Sequence, residues 1–78
     1  MKVQILGTGC PKCKALAASA EEAIKQTGVD AEIVKIDKLA EIMEFGVMMT
    51  PALAIDGEVK ASGKVLSAAE IATMLQEA

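Results

Sequence analysis

Both cysteines of this 78-residue chain lie in one short stretch, Gly7-Thr8-Gly9-Cys10-Pro11-Lys12-Cys13-Lys14. An apolar run, Val3-Gln4-Ile5-Leu6, precedes it, and a segment of helical periodicity follows. A Cys-x-x-Cys at a strand–helix junction constrains the chain strongly. Two thiols at that spacing in a first helical turn share one side and reach each other without backbone movement. Cys10, just ahead of the helix, is expected to face orphan N–H groups and the positive end of the dipole, which favour thiolate over thiol. Lys12 and Lys14 add positive charge, and the stretch contains no carboxylate. Pro11 suits the first turn, where its missing N–H has no intrahelical partner to lose. A disulfide closing so small a loop restricts the unfolded chain little, so a structural staple is a poor explanation. The pair reads as a redox dithiol.

The chain is short enough to form one domain, residues 1–78, around one core. Phe45 is its only aromatic residue, which removes the stacking platform that single-stranded nucleic acids use. All eight cations are lysine and the net charge is −3, so neither a phosphate fork nor a basic nucleic-acid patch is expected. Without histidine, the usual proton shuttle and the commonest metal ligand are missing. Met1-Lys2 runs straight into the first strand with no signal-peptide core, and no apolar run approaches the ~20 residues of a membrane span. A cytoplasmic monomer with no membrane association is expected, in a compartment where a lone cysteine pair is catalytic or metal-binding.

Residues 3–6 read as a buried strand and 15–27 as a helix, with Cys13, Ala17, Ala20 and Ile24 on its inward stripe. Leu16, Ala23 and Thr27 flank that stripe, Glu21 and Lys25 pair on the wet side, and Gly28 ends the helix. A second strand over 31–36 should run parallel to the first through a right-handed crossover. Asp37 is expected to cap a helix over about 38–45, with Leu39, Ile42 and Met43 inward and Gly46 as its stop. Residues 52–55 and 58–62 form a hairpin about Asp56-Gly57, and Gly63-Lys64 breaks the second of these strands. Ser67 and Glu70 make a capping box, stapled by Leu66 and Ile71, for a last helix to about residue 76. The fold class is α/β, with a four-stranded mixed sheet and helices on both faces.

This order, the Cys-x-x-Cys at the first junction and Thr50-Pro51 opening the third strand together resemble a minimal thioredoxin fold, βαβαββα, with three helices. More narrowly, the chain resembles the small glutaredoxin-like proteins called redox-active disulfide protein 2. Gly9-Cys10-Pro11-Lys12-Cys13, Gly46-Val47-Met48-Met49-Thr50-Pro51-Ala52-Leu53, Asp56-Gly57 and Gly63-Lys64-Val65-Leu66-Ser67 carry that likeness. The resemblance implies a thiol–disulfide oxidoreductase acting on protein disulfides. Cys10 would be the attacking residue and Cys13 the resolving one. It also implies a cis Pro51, a Thr50 backbone that pairs with substrate, and a Gly63 loop along the substrate groove. Pro11 and Lys12 complete the candidate groove and would tune the potential. Met48 and Met49 are either an adaptable apolar rim or core filling beside Pro51, with at least one of them facing out. Gly63 also reads as a plain bulge.

The departures from the family pattern bear on the partners. Thioredoxins have Trp before the first Cys and Gly-Pro between the two, where this chain has Gly9 and Pro11-Lys12. No carboxylate stands in Val3-Gln4-Ile5-Leu6, so proton transfer to or from Cys13 falls to water or a lysine such as Lys14. The tyrosine and the Gly-Gly…Asp element with which glutaredoxins bind glutathione are absent. A flavoprotein reductase is therefore the expected electron donor, and no bound cofactor is expected. The rival reading is a soft-metal carrier, since thiolates suit Cu(I). Such carriers order their elements strand, helix, strand, strand, helix, strand, which the helix expected after residue 37 contradicts.

Overall fold

Alternation along the first strand divides the molecule into two faces. The computed structural model describes residues 1–9 and 11–77. In β1 (Lys2–Leu6), Val3 and Ile5 enter one apolar cluster and Leu6 enters another. β2 (Glu32–Ile36) pairs with β1 in parallel, with Val3 opposite Ile33 and Leu6 opposite Ile36. β3 (Ala52–Ile55) pairs with β1 antiparallel, and β4 (Glu58–Ser62) returns alongside β3, giving the order β2-β1-β3-β4. All four residues of β3 are buried, as befits an inner strand covered on both faces.

α1 (Pro11–Thr27) and α3 (Ala68–Glu77) pack on the Val3–Ile5 face, where Leu16, Ala20, Leu53, Ile71 and Leu75 complete the larger cluster. The inward stripe of α1 is mostly alanine, which lets the helix lie close to the sheet. Gly28, at φ 69°, ends α1 and donates its N–H to Ile24 O at 2.9 Å. The Ser67–Glu70 box forms: the Glu70 N–H donates to Ser67 Oγ at 3.2 Å and the Ser67 N–H donates to Glu70 Oε1 at 3.4 Å. Asp56 and Gly57, at φ 50° and 87°, make the primed turn that suits the twist of a tight hairpin. The turn is tied back to β1, because the Gly57 N–H donates to Gln4 Oε1 and the Lys2 N–H to Asp56 Oδ1, both at 2.8 Å. This is the βαβαββα architecture that the resemblance implied.

Four local expectations need correction. α2 (Leu39–Glu44) follows Lys38 at its N-cap with no side-chain cap bond, so Asp37 does not cap it. Leu39 and Met43 are 64% and 65% exposed, leaving Ile42 as the one buried residue of the helix. A helix of under two turns presents one side chain squarely to the sheet, and Phe45 and Val47 of the following loop fill the space beside it. Glu21 and Lys25 make no ion pair. The one ion pair among the described residues is Lys60–Glu58 at 3.0 Å, and on α1 Gln26 bonds Glu22 instead. The bulge in β4 falls at Lys60, left over between the Leu53–Ala61 and Ala54–Val59 pairs, and not at Gly63.

Candidate active site

Strand polarity brings the chemistry-bearing segments to one end of the sheet. β1 and β2 both finish there, β3 starts opposite Leu6, and β4 finishes opposite Ala52. The loop after β1, the start of α1, residues 47–51 and Gly63 consequently converge. Cys13 lies in the first turn of α1 at 5% exposure, turned to the sheet as its place on the inward stripe requires. Cys10 lies outside the described residues. Pro11 is the first residue of α1, Lys12 follows it, and both are exposed.

Gly7 is what the Cys13 side chain rests on. Its N–H donates to Ile36 O at 3.0 Å, which holds the backbone where β1 ends. A Cβ at Gly7 would overlap the Cys13 sulfur and stand 3.1 Å from Cys13 Cβ and 4.0 Å from Pro51 Cα. Glycine therefore lets Cys13 and the Pro51 backbone approach the same point from two elements. The Thr50–Pro51 bond is cis, Pro51 is buried and Thr50 is exposed.

Pro51 O accepts the Gly63 N–H at 2.8 Å, which joins the start of β3 to the chain leaving β4. Gly63 has φ 76°, and a Cβ there would stand 3.1–3.2 Å from Met49 Cε, Cβ and Sδ. Met49 thus lies over Gly63 and is 62% exposed, and Met48 is 96% exposed. Neither methionine fills core, and Val47 takes that place in the smaller cluster.

On the α1 side a half-open cleft of about 160 Å³ runs down to Cys13. Ile5 and Ala17 give it an apolar floor, and Lys14, Lys35 and Asp37 bring charge to its walls. Gly7, Lys35 and Asp37 are the residues that sequence reasoning passed over. Gly7 carried a local signal, the first glycine of Gly-x-Gly-Cys directly after a buried strand. Lys35 carried none, because only its pairing with Ile5 across β1 and β2 brings it to Cys13. No group of three or more potential metal ligands occurs among the described residues.

Comparison with known proteins agrees with this geometry. A family model for the thioredoxin domain matches residues 1–76. A protein named thioredoxin from Methanothermobacter thermautotrophicus is 48% identical over 75 residues, which is 96% of this chain and 97% of that protein. Another of the same name, from Methanocaldococcus jannaschii, is 42% identical over 69 residues, or 88% of this chain and 79% of its own.

Proposed function

The chain belongs to the thioredoxin family, and on that premise we propose that it reduces protein disulfides through Cys10 and Cys13. The observation that carries the reading is the meeting of Cys13, Gly7 and Pro51 at the start of α1, whose first residue, Pro11, follows the other cysteine in sequence. The Cys10 thiolate attacks one sulfur of a substrate disulfide, forming the mixed disulfide and expelling the other sulfur as a thiolate. Cys13 then loses its proton and attacks Cys10. The Cys10–Cys13 bond closes, the second substrate thiol leaves, and two electrons have passed to the substrate.

Burial keeps Cys13 from competing for substrate directly, and the cleft beside it gives water a path for its proton. Thr50, Pro11, Lys12 and Met49, all exposed, and half-buried Gly63 border the groove in which the substrate chain lies. A flavoprotein reductase restores the dithiol, and the setting is cytoplasmic. Among the described residues, no helix is long and apolar enough to cross a membrane.

The metal-carrier reading gains no support, since the element order is not the one such carriers use. Insulin reduction driven by dithiothreitol tests the proposal. The native chain should accelerate precipitation of the insulin B chain and Cys10→Ser should not. Full activity in Cys10→Ser would remove Cys10 from the role of nucleophile.

A further inference from the structure

Charge is distributed unevenly over this acidic chain. The loops, strand ends and first turns of α1 and α3 at the Cys13 end carry Lys12, Lys14, Lys35, Lys38 and Lys64, against Asp37 and Glu70. Adding α2 brings in Glu41 and Glu44 and leaves the cations in the majority. All five lysines are exposed, and the one ion pair among the described residues lies elsewhere, on β4. At the opposite end, Asp30, Glu32, Asp56 and Glu58 stand with Lys2, Lys60 and the Met1 amino group. The end that holds Cys13 is therefore positive in a protein of net charge −3.

Apolar surface occurs at the same end. Met48 and Met49 are exposed directly before Thr50-Pro51, and Met49 lies on Gly63, the residue preceding Lys64. A thioether adapts to varied apolar partners, whereas lysines around it select by charge.

We propose that the substrates of this protein are disulfides flanked by aspartate or glutamate and by an apolar residue. Lys12, Lys14, Lys35 and Lys64 attract the carboxylates, and Met48 and Met49 take the apolar contact. This assignment rests on the disulfide-reductase reading and adds the chemistry of the substrate to it. The lysines act on encounter, by concentrating acidic segments near the dithiol, so their influence fades as salt shortens the Debye length to a few ångströms.

The test uses the reduced full chain and two synthetic peptides that share one disulfide and one leucine. One peptide carries glutamates beside the cysteines and the other carries lysines. Stopped-flow rates are divided by the rate of each peptide with dithiothreitol, which removes differences intrinsic to the disulfides. At low ionic strength the glutamate peptide should react on the order of tenfold faster, and the ratio should approach one in ~1 M salt. Lys12→Glu combined with Lys64→Glu should lower or invert the low-salt ratio. Equal normalised rates at low salt, or a preference for the lysine peptide, overturn the charge assignment and leave the reductase reading intact. Failure to reduce either peptide overturns both.

Discussion

Replacing Gly7 with alanine tests the geometry of the site most directly. Gly7 has no positive φ, so the new methyl group meets no left-handed backbone penalty and its cost is steric. That methyl would overlap the Cys13 sulfur and also stand 3.1 Å from Cys13 Cβ, against an optimal separation of roughly 3.5–4.0 Å for such atoms. Retreat is blocked on two sides, by the 3.0 Å bond from the Gly7 N–H to Ile36 O and by Pro51 Cα at 4.0 Å. Overpacking of this kind costs about 1–3 kcal/mol, and this overlap belongs near the upper limit. In a chain of this size, 2–3 kcal/mol lowers Tm by roughly 10–20 °C.

Urea unfolding under reducing conditions measures the loss, and a cycle with Cys13→Ala identifies its cause. Removing the sulfur from the Gly7→Ala protein should recover about 1–2 kcal/mol relative to additivity, with the remainder reflecting the short contact to the residual Cβ. Reductase activity in Gly7→Ala should fall even where the protein remains folded, because the displaced Cys13 sulfur is no longer placed for its attack on the mixed disulfide. A Gly7→Ala protein of native stability, or an additive cycle, would refute the claim that glycine is required here by the approach of Cys13.

Two further substitutions separate core from surface. Ile42→Ala should destabilise by about 2–4 kcal/mol in urea, whereas Met43→Lys, one position on, should stay within about 0.5 kcal/mol. The reverse ranking would mean that α2 lies on the sheet by another face. Ser67→Ala removes the hydroxyl that accepts the Glu70 N–H and should cost about 1 kcal/mol, read as a lower Tm, with insulin reduction below the transition unchanged.

What could be read from the chain without its structure was whatever neighbouring residues impose on one another. Asp56-Gly57 turns a hairpin because both positions tolerate positive φ, and Ser67 with Glu70 starts a helix because each satisfies the other's N–H. The α1 stripe, the parallel crossover and the position of Cys13 at the head of the buried face followed from periodicity in the same way. α2 was misjudged because apolar residues at helical spacing do not reveal how short a helix is or how much sheet lies beneath it. Leu39 and Met43 therefore look inward on paper and stand in solvent in the fold.

The site itself divides along the same line. The two cysteines, Pro11 and Thr50-Pro51 announce themselves by type and order. Gly7 beneath Cys13, Gly63 against Met49, and Lys35 and Asp37 on the cleft depend on strands distant in sequence being hydrogen-bonded in one register. Register is a property of the whole sheet, settled by burial on both faces at once. Only the assembled structure decides which lysines surround Cys13.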